Sequence, residues 1–430
     1  MSAVLKRETF KTSRLLDFFT VKELTAQIGH GPDHWPLVIL KELIDNAIDA
    51  CEDNALAPVI DVDITGEQIT VTDNGPGLPP ETVAGVLDYS VRVSSREAYI
   101  GPCRGAQGNA LKTLVAMPFV LDGEQGTVEI DACGVLHRIT CRVDRIQQKP
   151  VLEHEQELGL VKNGTKVTIP SMPTNFDNTR ILQLLHGYIF TNPHLTLNVT
   201  IDDWHDQWPA TIPDWKKWRP NDPAPVQWYS VENLERLIAA YLGNDKDLPI
   251  REFVALFRGF SGSAKQKKVL DATGLARCSL SSLTRGDTFD HEAIKALMAA
   301  MCAESRSVKP TALGIIGKDH IAQRMALCGA NADSFKYDRR IGETNGIPWV
   351  IENAFAYCPD LFSRELVTGV NWSPGILNPF RELGSLGQSL DSVLQELRAA
   401  RDEPIVLLIH MACARVSYTD RGKSAVLMEG

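Results

Sequence analysis

The sequence predicts a multidomain protein that combines α+β and α/β folding in three parts. Residues 1–228 mix short strands with helices, residues 229–306 are helical, and residues 307–430 return to strands with one helix. A chain of 430 residues is long enough for two or three domains, each with its own core. Hydrophobic residues at 44% and charged residues at 23% are ordinary for a globular protein.

The first part contains a predicted helix near residues 20–28 and a second helix that carries a motif over residues 42–50. Four polar side chains of the second helix recur at i, i+3, i+4 and i+7 and share one face: Glu42, Asp45, Asn46 and Asp49. Carboxylates beside a carboxamide suit a magnesium–phosphate site, and a glutamate one turn away can polarise an attacking water. The alternative is a solvated acidic face on a surface helix.

A β-hairpin is predicted after this helix, because apolar residues alternate with polar ones on both sides of a turn at residues 65–67. Its second strand ends at Asp73, whose carboxylate could accept a hydrogen bond from an exocyclic amine such as that of adenine. Gly75 and Gly77 allow a ligand to approach the backbone closely. The alternative is an ordinary Asp-Asn-Gly turn.

A third motif runs from Arg104 to Lys112, with Gly105 and Gly108 ahead of a predicted helix start. Backbone N–H groups at a helix N-terminus attract phosphate. The motif is not a Walker loop, because the Gly-Lys-Ser/Thr ending is missing. Further on, Asn163-Gly164-Thr165 is a turn into a predicted strand over residues 166–169, or otherwise a plain hairpin.

With these motifs in this order, the chain resembles the GHKL ATPases, the group of gyrase, HSP90, histidine kinases and MutL. The resemblance implies a Bergerat-type α/β sandwich that binds ATP and Mg²⁺. It assigns Glu42 as the general base and Asn46 as the magnesium ligand. It assigns Asp73 as the residue that reads adenine, with Gly75 and Gly77 beside it.

The same resemblance covers the remaining motif residues. Gly105 and Gly108 match the glycines of the phosphate lid, and Lys112 matches a phosphate contact. Thr165 matches the late threonine near the base, and Asp49 belongs to the nucleotide-binding set. One departure is Ala110, which stands where the lid usually has a third glycine.

The second part is predicted to be helical over residues 231–305, and residues 260–268 resemble a helix–two-turns–helix insert. Its basic residues Lys265, Lys267 and Lys268 could meet DNA phosphates or could form a solvated helix start, and both interpretations stay open. Between the first two parts, residues 202–228 contain five tryptophans. We interpret these as packing residues rather than as a platform for stacking bases.

The third part contains predicted strands over residues 311–314, 349–356 and 404–413 and a helix over residues 386–401. This order resembles the transducer domain of the GHKL group, of ribosomal protein S5-like type. An ATP domain, an insert and a transducer in sequence resemble the B subunits of type IIB topoisomerases (topoisomerase VI). In that family a loop lysine reaches the γ-phosphate, which assigns a catalytic role to Lys423; the alternative is a solvated loop lysine.

The family resemblance implies an ATPase that forms an ATP-dependent homodimer and gates DNA for a cleavage subunit like the topoisomerase VI A subunit. Two departures bear on this partner: only seven residues follow Lys423, where the family continues into a stalk helix, and residues 371–374 lack the usual arginine. The alternative is a nucleotide-gated clamp in a DNA-handling or defence complex without strand passage. A chaperone-like ATPase that clamps protein is a further rival, against which the insert argues.

Net charge and cysteine usage restrict the possible DNA contacts and the cellular compartment of the protein. A net charge of −10 excludes a surface that is basic throughout, so that DNA contacts must use local patches. Nine cysteines without a Cys-x-x-Cys pair argue for reduced thiols and against zinc or a disulfide framework. The sequence has no apolar run of about 20 residues and no signal-like N-terminus, which predicts a cytoplasmic protein without a membrane partner. The resemblance to a DNA topoisomerase subunit implies association with the nucleoid.

Overall fold

The structure is a computed structural model, which describes residues 19–87, 98–104, 110–144, 146, 149–172, 177–381, 388–419 and 425–427. The helices of this part are α1 (Val21–Ile28), α2 (Trp35–Asp53), α3 (Pro80–Val86), α4 (Ala110–Asp122), α5 (Asn178–Thr191), α6 (Val231–Leu242), α7 (Ile250–Ala255), α8 (Ser263–Thr273), α9 (His291–Glu304), α10 (Lys318–Leu327) and α11 (Leu390–Glu396). The described helices have neither the length nor the hydropathy that a membrane crossing requires.

The strands of the described residues form two large sheets and one small hairpin. The first sheet contains β1 (Val59–Thr65), β2 (Gln68–Asp73), β3 (Gly126–Ala132), β4 (Val135–Asp144), β5 (Lys149–Leu158), β6 (Thr165–Ile169), β7 (Thr196–Ile201) and β8 (Trp204–Trp208). The hairpin is β9 (Thr284–Arg285) with β10 (Thr288–Phe289). The second sheet contains β11 (Lys336–Thr344), β12 (Ile347–Tyr357), β13 (Glu365–Val370), β14 (Ser373–Pro374) and β15 (Ile405–Cys413).

The first sheet has the order β5-β4-β3-β6-β2-β1-β7-β8. Neighbouring strands are antiparallel except β1 and β7, which pair in parallel. Buried positions alternate along β3 and β7, because one face of the sheet packs on α2, α4 and α5 while the other is more exposed. The predicted hairpin of β1 and β2 is confirmed, with Gly66 at φ +59° in its turn.

Helix α2 runs through the centre of the first core. Pro36 lies in its first turn, where a missing backbone N–H costs no helical hydrogen bond. Most of its 19 residues are buried, including the apolar series Leu40, Leu43, Ile44, Ala47 and Ile48. The helix that carries the first motif is therefore a core element rather than a surface helix.

The second part of the chain is helical as predicted, from α6 to α9, with the small hairpin inserted before α9. Ser230 and Asn233 form a capping box at the start of α6, and Asp290 caps α9. The three lysines near the start of α8, Lys265, Lys267 and Lys268, are all exposed.

The second sheet has the order β11-β12-β15-β13-β14, with β13 and β15 parallel. Two sequence predictions here are wrong. The predicted strand over residues 311–314 is a 3₁₀ turn, Pro310–Leu313, which ends at Gly314 with φ +124°. Of the predicted helix over residues 386–401, the structure describes residues 388–401, which are helical over Leu390–Glu396 and end there because the backbone turns at Arg398 with φ +59°. Strands β11 and β13 were not predicted.

The tryptophan-rich segment packs as expected rather than forming an open platform. Trp208, Trp218 and Trp228 are 6%, 4% and 0% exposed, whereas Trp204 on β8 is 42% exposed. Trp218 and Trp228 belong to a core that α6–α9 share with the second sheet. The domain boundaries at 228/229 and 306/307 stay predictions.

Candidate functional site

Asp73 and Thr165 meet at one end of the first sheet, although they are 92 residues apart in sequence. The register of β2 and β6 pairs Thr72 with Lys166, which brings their neighbours to the same edge. The backbone N–H groups of Gly75 and Thr165 donate to Asp73 Oδ1 at 2.7 and 3.3 Å. Burial raises the pKa of the Asp73 carboxyl, and these hydrogen bonds lower it in part.

The backbone beside Asp73 is packed too closely for side chains at three glycines. A Cβ on Gly164, whose φ is +81°, would lie 1.9 Å from the Asp73 carbonyl oxygen. A Cβ on Gly75 would lie 2.8 Å from Asp73 Oδ1, and one on Gly77 would lie 2.8 Å from Cys133 Sγ. The missing side chains at these glycines therefore let the turn after β2 pack closely against β6 and the Asp73 carboxylate.

Asn74 joins this turn to the end of α2. Its Oδ1 accepts hydrogen bonds from the Val59 N–H at 2.8 Å and from Cys51 Sγ at 3.2 Å. Its amide donates to the Ala57 carbonyl at 3.1 Å. Burial and the Asp73 charge raise the pKa of the Cys51 thiol to about 12, so this thiol is a structural donor.

The polar face of α2 is divided between two environments. Glu42 is half-buried and Asn46 is exposed, and the Asn46 amide makes no hydrogen bond to the described part of the chain. In contrast, Asp45 and Asp49 are only 4% and 3% exposed. Asp45 is bonded to Lys41 of the same helix and to hydroxyls from other segments, and Asp49 is bonded to Arg104. That all four residues serve one site stays a prediction.

Asp49 belongs to a buried group that we call the arginine cluster. Its members are Asp49, Glu52, Arg104, Asn192, His194 and Lys217. Arg104 Nη1 donates to Asp49 Oδ1 and to Glu52 Oε2 at 2.8 Å each. Arg104 Nη2 donates to Glu52 Oε1 at 2.8 Å, and Lys217 Nζ lies 2.6 Å from Glu52 Oε2. Two carboxylates thus face two cations away from water.

Electrostatics in the arginine cluster follow from this pairing. Burial opposes ionisation of Glu52, but Arg104 and Lys217 hold its pKa well below the usual range. Burial lowers the pKa of Lys217, and the Glu52 carboxylate opposes that shift. Burial also lowers the pKa of His194, so that the neutral ring meets Glu52 Oε1 at 3.0 Å. The cluster is stable only as a complete set, since one missing partner leaves a buried charge uncompensated.

Asp45 belongs to a second buried group, the Asp45 network, made of Lys41, Asp45, Tyr188 and Ser373. Lys41 Nζ lies 2.5 Å from Asp45 Oδ2 and also donates to Ser373 Oγ at 2.5 Å. The Ser373 hydroxyl donates to Asp45 Oδ2 at 2.7 Å, and the Tyr188 hydroxyl donates to Asp45 Oδ1 at 2.8 Å. Because Ser373 lies on β14, this network bonds α2 to the second sheet.

Other predicted site residues fall into two groups. Gly105, Gly108 and Lys423 lie outside the described residues. Lys112 lies on α4 and is 2% exposed, so its role as a phosphate contact stays a prediction. The role of Asp49 in nucleotide binding likewise stays a prediction, because its described partner is Arg104.

Sequence reasoning missed the residues that complete the two buried groups. Glu52 continues the spacing of 42, 45 and 49 on α2, and Arg104 directly precedes Gly105, so both carried a local signal. Lys217, Tyr188 and Ser373 carried none, because they reach α2 only through the tertiary fold.

The part of the chain that contains this site matches the model of a known protein family. A family model described as histidine kinase-, DNA gyrase B- and HSP90-like ATPase matches residues 34–173. This part of the chain is similar to the GHKL ATPases. The matched range contains α2 with Glu42 and Asn46, the turn after β2 with Asp73, and the start of β6 with Thr165.

Curated relatives extend the similarity beyond residues 34–173. The chain is 23% identical to the B subunit of type 2 DNA topoisomerase 6 from Archaeoglobus fulgidus over 411 residues, which are 91% of this chain and 66% of that protein. It is 24% identical to the Metallosphaera sedula protein of the same name, covering 90% of this chain and 74% of that protein. It is 29% identical to the Halobacterium salinarum protein over 179 residues, which are 37% of this chain and 21% of that protein. The chain thus resembles topoisomerase 6 B subunits along most of its length, and spans less than two thirds of the Archaeoglobus protein.

Among solved structures, the 43K ATPase domain of Thermus thermophilus gyrase B, in complex with an aminocoumarin, matches with a TM-score of 0.41 and 14% identity. The match covers 97% of this chain and 86% of that chain.

Proposed function

We propose that this chain binds and hydrolyses ATP in a role similar to that of the topoisomerase 6 B subunits. The observation that carries the proposal is the meeting of Asp73 with the Gly75 and Thr165 backbone at the sheet edge, next to α2. A half-buried carboxylate beside bare glycine backbone suits the amino edge and the flat face of adenine. Glu42 and Asn46 are the side chains on the polar face of α2 that are not fully buried, so that a ligand can reach them.

In the proposed reaction, Glu42 accepts a proton from the water that attacks the γ-phosphate. Asn46 would hold Mg²⁺, which neutralises phosphate charge when bound. Gly105 and Gly108 would form the phosphate lid, Lys112 a phosphate contact, and Lys423 would stabilise charge on the γ-phosphate. Positioning and electrostatics supply most of the acceleration in such reactions.

Glu42→Gln tests the chemical step. The substitution keeps shape and removes the base, so that ATP binding is retained and turnover falls by a factor on the order of 10²–10⁴. The measurement combines steady-state phosphate release with calorimetric ATP binding, and Glu124→Gln, at an exposed position after α4, is the matched control. Unchanged turnover in the Glu42 variant would remove Glu42 from the mechanism.

We further propose that ATP drives homodimerisation, which gates DNA for a partner cleavage subunit like the topoisomerase VI A subunit. Contacts between α2 and β14 support coupling between the ATP site and the second sheet, since Asp45 and Ser373 are bonded directly. A ligand shifts such an equilibrium only through contacts that differ between the two states.

Sedimentation velocity with a non-hydrolysable ATP analogue and Mg²⁺, with ADP, and without nucleotide tests the gate. The analogue is expected to shift monomers to dimers, whereas ADP is not. Coincident profiles in all three conditions would refute a nucleotide-driven gate while leaving the ATPase proposal standing.

A further inference from the structure

Three side chains far apart in sequence converge outside the proposed ATP site. They are His186 on α5, Cys328 directly after α10 and Glu365 at the start of β13. One ligand atom from each lies within 4.8 Å of the other two, and His186 Nδ1 lies 3.4 Å from Glu365 Oε1. Local sequence pattern does not predict this group, because its members share no motif.

We infer that His186, Cys328 and Glu365 form a zinc site at the junction of α5, α10 and β13. An imidazole, a thiolate and a carboxylate are the donor types that Zn²⁺ accepts, and the thiolate disfavours Mg²⁺ and Ca²⁺. In a tetrahedral zinc site the ligand atoms lie roughly 3.3–3.8 Å apart. His186 Nδ1 and Glu365 Oε1 already have this separation. All separations between the three ligand atoms are at most 4.8 Å, so that side-chain rotations of at most about 1 Å bring them to the tetrahedral values.

A cleft gives the site access to solvent. It has a volume of about 220 Å³, and His186 and Cys328 line it together with Asp206, Trp208 and Arg324. Three protein ligands leave the fourth zinc position open, and this position would face the cleft. Two of the three ligands thus lie on the cleft wall, where an ion can reach them from solvent.

Charge balance also fits a divalent cation. A thiolate from Cys328 and a carboxylate from Glu365 cancel the charge of Zn²⁺, so that the bound site is neutral next to the Arg324 guanidinium. Arg324 is 3% exposed and donates to the Pro209 carbonyl at 2.6 Å, which fixes its position on the cleft wall. A neutral zinc site is therefore compatible with a buried cation nearby.

The fold gives the metal a structural task. His186 belongs to α5, which packs in the first core, whereas Cys328 and Glu365 belong to elements of the second sheet region. A zinc ion would cross-link the two regions through residues that take no part in the Asp45 network. The absence of a Cys-x-x-Cys pair, which argued against a zinc motif, does not bear on ligands that only the tertiary fold assembles.

Cobalt(II) titration of the purified full chain tests the site. We expect one cobalt(II) per chain with a thiolate charge-transfer band, displacement of that band by zinc, and a higher Tm in zinc than in chelator. Cys328→Ser should abolish the band, and Glu365→Gln, which keeps the thiol, should weaken zinc binding at least about tenfold. Cys302→Ser, at a half-buried cysteine on α9, is the matched control and should bind like the wild type.

Two results would overturn the inference: less than stoichiometric cobalt or zinc in the folded wild type, or an unchanged band in Cys328→Ser. If Cys328→Ser fails to fold, the Glu365→Gln affinity decides alone, and an unchanged affinity there rejects the site. ATP binding measured on the same samples is separate from the metal result, because no residue of the proposed ATP site belongs to this group.

Discussion

The polar residues of α2 are divided between two opposite environments. Glu42 and Asn46 stay at least partly accessible, whereas Asp45, Asp49 and Glu52 are buried with cations and hydroxyls from other segments. In the proposed function the accessible pair meets the ligand. The buried carboxylates bond the helix to other segments of the molecule.

The comparison predicts that buried positions control stability and accessible positions control function. The largest stability effect is expected at Arg104. Arg104→Met leaves Asp49 and Glu52 without their shared cation and should lower the free energy of unfolding by about 3–5 kcal/mol. Denaturant unfolding followed by circular dichroism measures this effect.

Arg236→Met is the control for Arg104→Met, because Arg236 on α6 is exposed. Its expected effect is within about 0.5 kcal/mol. Equal effects of the two substitutions would mean that the arginine cluster does not stabilise the fold.

A smaller effect is expected in the Asp45 network. Tyr188→Phe removes a hydroxyl that donates to the Asp45 carboxylate at 2.8 Å, and a hydrogen bond to a charged group contributes about 1.5–3 kcal/mol. The same unfolding experiment applies, with Tyr357→Phe at a position 43% exposed as the control. No loss in the Tyr188 variant would show that Lys41 and Ser373 alone satisfy Asp45.

At the proposed ATP site the expected effect is on nucleotide affinity. GTP presents a carbonyl where ATP presents an amine, so ATP should bind at least roughly tenfold more tightly, which corresponds to about 1.4 kcal/mol. Asp73→Asn should remove this preference, whereas Asp61→Asn on the exposed side of β1 should keep it. Calorimetric titration with both nucleotides decides, and equal affinities in the wild type would contradict the role of Asp73.

The same carboxylate predicts a pH dependence. Burial raises the Asp73 pKa, so the ionised acceptor is lost at a higher pH than for an ordinary aspartate. ATP affinity should therefore fall as the pH falls through that raised pKa and stay constant above it. Asp73→Asn should bind ATP without this acidic limb.

Sequence reasoning reached the parts of this protein that local pattern determines. The β1–β2 hairpin, α2 and the turn after Asp73 follow from alternation, helical spacing and glycine placement, and each was predicted. Family resemblance placed Asp73 and Thr165 in one site, and the register of β2 with β6 brings the two residues together.

The parts that were missed depend on distant segments. The burial of Asp45 and Asp49 depends on Arg104 and Ser373, and nothing near residues 45–49 signals those partners. Strand β11 lies at a sheet edge with mostly exposed residues, so it lacks the apolar alternation that identifies a strand. Helix α11 was predicted too long, because apolar spacing continues past the point where the backbone turns.

The hydrogen bond between Lys41 and Ser373 can form only late in synthesis of the chain. Synthesis adds roughly 5–20 residues per second, so Ser373 is made roughly 20–70 s after Lys41, across a separation of 332 residues. During that interval the nascent helix α2 carries a carboxylate at Asp45 whose serine partner does not yet exist. Helix α2, which carries part of the proposed ATP site, therefore reaches its final environment only after Ser373 of β14 has been synthesised. A ribosome-bound intermediate must tolerate an incomplete Asp45 network.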